Sequence, residues 1–188
     1  MKKYLLAFGL AMFLPFTCSA YAPTNKTMLQ NKVTFNNMLT TFPELREANI
    51  KLVPWFAEEL IVLEDFDDIE SGTIRQSSYD IDTDTIFVIH DLNPYEFPSA
   101  VMHEYCHHIY YTTLANWRID NWTRIWEDYP NHVSDYSRTM PEEGFAEFCM
   151  TYKYGMRNRN TYSGVETIFD SPQGKFMDTV WPFYRKPL

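Results

Sequence analysis

The sequence predicts an α+β domain, a small mixed sheet with an edge hairpin packed on two helices. Three stretches carry this prediction. Thr73 to Ile81 and Asp84 to His90 are β-rich runs joined by Asp82-Thr83, a hairpin-like pattern in which Ile86, Val88 and His90 alternate with Phe87, Ile89 and Asp91. Ser99 to Ile109, SAVMHEYCHHI, has helical apolar flanks and Pro98 ahead of it, where a first-turn proline loses nothing. Pro141 to Gly155, PEEGFAEFCMTYKYG, has Pro at its start, Gly at its end and an apolar stripe of Phe145, Phe148, Cys149 and Tyr152.

The chain has 188 residues, 45% hydrophobic and 22% charged, enough for one globular domain with a core. Its first twenty residues stand apart. Lys2 and Lys3 precede an apolar run from Tyr4 to Phe16, too short to span a bilayer comfortably, and Cys18-Ser19-Ala20 offers small residues for cleavage. The pattern is a secretory signal peptide, cut after Ala20, with lipid attachment at Cys18 the lesser alternative. The mature domain is then 21–188, exported to the periplasm or the exterior, and no later segment is apolar enough to span a membrane. Loss of Lys2 and Lys3 takes the formal net charge from −9 to −11. An acidic chain without a Lys/Arg run is not built to neutralise nucleic-acid phosphates.

The remaining elements follow in order. A helical part covers about 21–45, with a helix from Thr27 to Phe42 that Pro43 ends or follows with a new turn. Pro54 divides an extended piece from a short helix at Trp55 to Leu60, and Ile61-Val62-Leu63 is β-rich. The acidic Glu64 to Gly72 lacks the spacing of a calcium loop and reads as a solvated loop. The strand ending at His90 feeds the helix at Ser99 and has two readings, an edge against which an extended peptide pairs or simply a core strand. Trp117, Trp122, Trp126 and Tyr129 follow with no clean helical period. One more helix, Ser171 to Trp181, stops at Pro182. Aromatic residues make up 17% of the chain, and their main expected use is core filling, with cleft lining second.

The chemistry concentrates in His103-Glu104-Tyr105-Cys106-His107, an HExxH pattern. On a helix the two imidazoles lie one turn apart on one face, where both can reach one metal ion, with Glu104 beside it to take a proton from water. A catalytic zinc site needs a third protein ligand. His108 points about 100° away from the shared face, so the choice falls between His132 and a carboxylate. Glu143 is preferred, because Glu147 then lies one turn on and can accept an N–H from a ligand imidazole, expected to be His103. Glu142 as the ligand would put Ala146 in that place. Gly144 and Ala146 would keep this helix thin where it approaches the metal helix. Cys106 and Cys149 remain after signal removal. Cys149 lies well off the ligand face of its helix, so the expectation is two small buried hydrophobes, with a disulfide as the alternative.

HEYCH followed by SDYSRTMPEEGFAEF resembles the gluzincin zinc metallopeptidases, and among them the group of the anthrax lethal factor catalytic domain and the secreted Pro-Pro endopeptidases. Those proteins pair HExxH with a Tyr seven residues ahead of a Glu ligand; here Tyr136 stands seven before Glu143, and Ala146-Glu147 follow. The likeness is close over Val133 to Phe148 and the metal helix, loose over the hairpin, and slight over the N-terminal third. It implies a zincin-like fold and one Zn2+ held by His103, His107 and Glu143. It also implies Glu104 as the base and Tyr136 as the stabiliser of the transition state. Cys106 where such motifs often carry Gly, and Met140-Pro141 ahead of the Glu helix, depart from the pattern. The expected function is a secreted zinc metallopeptidase, an endopeptidase acting on protein or peptide. The alternative is a secreted zinc-containing binding or toxin-like module with little hydrolytic activity.

Overall fold

A computed structural model describes residues 25–54 and 76–181. The signal segment, the helix expected at Trp55 to Leu60, the run Ile61 to Leu63 and the acidic Glu64 to Gly72 lie outside the described residues.

Helix α1 spans Asn25–Thr41. Pro43 then opens a 3-10 turn, Pro43–Glu47, where its missing N–H leaves no bond unmade. Strand β1, Asn49–Val53, ends at Pro54. Strands β2, Ser77–Asp80, and β3, Thr85–Ile89, form the predicted antiparallel pair, with Ser77 opposite Val88 and Asp80 opposite Thr85. Their connection is Ile81 to Asp84, two residues longer than Asp82-Thr83. The Asp80 carboxylate accepts from the Asp82 N–H at 3.0 Å and the Thr83 hydroxyl at 2.6 Å, and Asp84 takes a left-handed φ of 48°.

β1 lies parallel to β3, Asn49 opposite Thr85, so the order is β1-β3-β2 and the small sheet is mixed. Of the two readings of the strand that feeds the HExxH helix, the structure takes the core strand: among the described residues β3 is central, and β1 and β2 are the outer strands. The cause is composition. All five residues of Thr85-Ile86-Phe87-Val88-Ile89 are buried, and a strand apolar on both faces needs cover on both. Ser77-Ser78-Tyr79-Asp80 is half-buried throughout, which suits an edge.

Helix α2, Phe97–His108, has Pro98 in its first turn and continues into a wider π-type turn, Ile109–Thr113. It runs through the middle of the molecule: every residue from Val101 to His107 is buried. Helix α3, Asn116–Asp128, corrects the reading of an aperiodic aromatic segment. Its inward stripe is narrow, with Trp122 at 1% exposure flanked by the partly buried Ile119, Ile125 and Trp126. Trp117 lies off that stripe, 63% exposed, and blurs the period. Both indoles of the stripe are tied to the chain ahead of and at the start of the next helix. Trp122 Nε1 donates to the Pro141 carbonyl at 2.6 Å, and Trp126 Nε1 to the Ser137 carbonyl at 2.9 Å.

Helix α4, Pro141–Tyr154, ends at Gly155 with φ 63°, a conformation that a side chain would strain. Helix α5, Pro172–Val180, is capped by the Ser171 hydroxyl. α2 packs broadside on α4, and Cys106 and Cys149 form a disulfide across that seam, their Cα atoms 6.1 Å apart. The expectation of two unpaired cysteines is therefore wrong. The buried stripe of each helix is wider than its ligand face, so residues well off that face still meet at the seam. The rings mostly fill the core, as composition suggests: Phe145 lies 5.5 Å from Trp122 and 5.2 Å from Tyr110, centroid to centroid. No described helix is long and apolar enough to cross a membrane.

Candidate metal centre

α2 presents His103 and His107 one turn apart; α4 presents Glu143 and Glu147 in the same way, facing them. His103 Nε2 and His107 Nε2 lie 3.0 and 3.1 Å from Glu143 Oε2, and 3.1 Å from each other. Among the described residues these three form a buried group able to hold a metal ion. His103 Nδ1 meets Glu147 Oε1 at 3.0 Å. A carboxylate can only accept there, so Nδ1 carries the hydrogen. In neutral His103 the other nitrogen, Nε2, is then a lone pair facing the Glu143 oxygen, acceptor against acceptor. A cation between them resolves the conflict. Ligand atoms about 2.0–2.2 Å from one tetrahedral ion stand roughly 3.3–3.5 Å apart, close to the triangle seen. Without an ion, a proton takes that place. Burial pushes the His103 pKa down, but the bonds to Glu143 and Glu147 outweigh it and hold it well above the ordinary value. Burial likewise opposes ionisation of Glu143, yet the two imidazoles keep its carboxyl well below the usual range.

Glu147 is itself held from two further sides. Asn158 Nδ2 donates to its Oε1 at 2.8 Å and the Ser134 hydroxyl to its Oε2 at 3.0 Å, so this carboxylate, 1% exposed, is fully satisfied. Ser134 also braces the turn that carries Tyr136: its hydroxyl accepts the Ser137 N–H, and Ser137 Oγ donates back to the Ser134 carbonyl. Tyr136 is 46% exposed, its ring 5.9 Å from that of His103. Glu104 lies beside the ligands, and the Ser77 hydroxyl donates to its Oε1 at 2.8 Å.

These groups open on a cleft of about 570 Å³. β2 and Tyr111 form one wall, Tyr136 to Glu143 another, and Asn158 to Asn160 close an end, where Arg159 approaches Glu96 at 3.7 Å. Glu142 lines the cleft but is not in the ligand triangle. None of the lining residues belongs to α1. His132, the alternative ligand, lies apart with its ring 5.9 Å from Trp126. His108 binds Asp84 at 2.7 Å.

The role expected of Gly144 needs correction. A Cβ there would fall 2.5 Å from Trp126 Cδ1 and 3.0 Å from the Ser137 carbonyl. Its smallness admits the α3 indole and the Tyr136 turn. Three contributors escaped sequence reading: Ser134, Asn158 and Ser77. Each reaches a site carboxylate by one side-chain hydrogen bond from another part of the chain, and nothing in its neighbours' spacing marks it.

Compared with known protein families, characterised proteins and solved structures, the chain matches none.

Proposed function

We propose that the protein is an exported zinc-dependent peptidase of the gluzincin type. The observation that carries this reading is the buried triangle of two imidazole nitrogens and one carboxylate oxygen, 3.0–3.1 Å on each side, with a further carboxylate, Glu104, beside it. Nitrogen and carboxylate donors in a three-ligand set, open to a cleft, suit a catalytic zinc better than a structural one, which is closed by four protein ligands. Bound Zn2+ would polarise a scissile carbonyl and lower the pKa of a coordinated water to about 7.

The chain's own groups do the rest. Glu104 accepts the proton of the attacking water and passes it to the leaving amine nitrogen. Tyr136, at the cleft surface, donates its O–H to the carbonyl oxygen as charge develops there. Glu147, steadied by Asn158 and Ser134, keeps the His103 ring in the tautomer that leaves Nε2 free. Among the described residues β2 is an outer strand that borders the cleft, and its outer backbone groups suit an extended peptide. A disulfide between the two ligand helices supports export, since cytosolic thiols are kept reduced.

The test is metal analysis combined with digestion of a proteome-derived peptide library by protein lacking residues 1–20. One zinc per chain and cleavage that disappears in Glu104→Ala, with zinc retained, are the expected results. Undiminished cleavage by Glu104→Ala would remove Glu104 from the base role. Zinc binding with no cleavage of any peptide would point instead to a binding module on the same scaffold.

A further inference from the structure

We infer that Ser77, on the edge strand, is a positioning residue for Glu104: its hydroxyl holds one carboxylate oxygen and leaves the other directed at the attacking water. The inference rests on the reading of Glu104 as proton acceptor.

Glu104 has three freely staggered side-chain torsions, and a proton acceptor is effective only when its oxygen is aimed. The fold limits that freedom in two ways. Glu104 is buried to 6% exposure, and among the described residues its one hydrogen bond is the 2.8 Å contact from Ser77 Oγ to Oε1. A hydroxyl donating to an ionised carboxylate makes one of the stronger protein hydrogen bonds.

Ser77 is itself firmly placed. It pairs with Val88 of the buried central strand. Its neighbour two residues on, Tyr79, projects on the same face and meets α2 one turn beyond Glu104. The Tyr79 and His108 rings lie 6.2 Å apart. Asp84 joins them, accepting from Tyr79 Oη at 2.8 Å and from His108 Nδ1 at 2.7 Å. Two strand residues advance about 6.7 Å and four helical residues about 6 Å, so the two contacts fit together without strain. The edge strand is thus fastened to the metal helix at two points, and the upper one acts on the base.

The experiment compares Ser77→Ala and Ser77→Thr with the unsubstituted protein, zinc-loaded and lacking residues 1–20, in steady-state cleavage of a peptide selected from the library. Zinc content and acetohydroxamate affinity are measured on the same samples. A hydroxamic acid that chelates a metal as the anion places its N–O group beside the metal position, where a carboxylate aimed at the same position can bind it, so its affinity reports how Glu104 is aimed even without turnover. We expect Ser77→Ala to lower kcat about tenfold, the scale of one charge-assisted hydrogen bond, with KM nearly unchanged and zinc retained. Hydroxamate affinity should fall by a similar factor, and Ser77→Thr should recover most of both. An unchanged kcat and hydroxamate affinity in Ser77→Ala would overturn the inference, as would a loss that follows zinc content or that Ser77→Thr does not repair. If the unsubstituted protein binds zinc but cleaves nothing, the peptidase reading fails, and the hydroxamate comparison still decides the role of Ser77.

Discussion

His103 holds a carboxylate on each ring nitrogen, Glu147 through Nδ1 and Glu143 through Nε2. The two bonds have different meanings. The first orients the ring; the second marks a position that could hold a shared cation. Replacing Glu147 by Ala should leave the three ligand atoms in place but free the His103 tautomer, weakening zinc about 10- to 100-fold in competition with a chromogenic chelator. Glu143→Gln should weaken it further. Protons compete for the same position. In metal-free protein His103 is held protonated above its ordinary range by Glu143 and Glu147, against the opposing effect of burial. An ion that needs Nε2 as a lone pair must expel that proton. Apparent zinc affinity should therefore rise with pH through neutrality, by up to about tenfold per unit for one proton. It should level off once the pH passes the raised His103 value. Calorimetry in buffers of different ionisation enthalpy measures the proton released.

Two helices make the site, and their packing sets its geometry. The Cys106–Cys149 bridge joins α2 one residue before His107 to α4 two residues after Glu147. Closing a loop of this sequence separation, 43 residues, reduces the entropy of the unfolded chain by an amount worth about 4 kcal/mol. Cys106→Ser with Cys149→Ser should lower stability in urea by up to that amount. It should also weaken zinc, because the spacing of the ligand pairs then depends on apolar packing and the His103–Glu147 hydrogen bond without a covalent tie. A double variant with unchanged zinc affinity would show that packing suffices. α3 contributes from outside the site: the Trp122 and Trp126 indole N–H groups hold the Pro141 and Ser137 carbonyls and so set the start of α4 and the Tyr136 turn.

At the scale of the molecule, α2 is enclosed by the sheet, α4 and α1, and only its ligand face opens on the cleft. α1 sits away from that opening. Asn31, fully buried, donates to the His90 carbonyl at 3.0 Å and the Leu92 carbonyl at 2.7 Å, in the loop that leads into α2. α1 therefore acts as part of the domain, with no residue over the cleft. Starting the chain at residue 43 should lower Tm and leave cleavage no faster per folded molecule. Faster cleavage after such a truncation would identify α1 as an inhibitory segment.

The local features were legible in the chain because they depend on short-range geometry. Residues four apart share a helix face, so His103 with His107, and Glu143 with Glu147, followed from spacing. Pro98, Pro141 and Gly155 marked helix ends through their own φ preferences. The hairpin and the choice of Glu143 over Glu142 came from equally local arguments. What the tertiary structure alone decided depends on which elements become neighbours. β1 entered the sheet beside β3 and so put β3 at its centre. The α2–α4 seam brought Cys106 to Cys149 although both lie off the ligand faces. Ser134 and Asn158 converged on Glu147 from 13 and 11 residues away, and Ser77 reached Glu104 across 27. A lone hydroxyl or amide has no period to reveal it, and its partner is set by packing between elements.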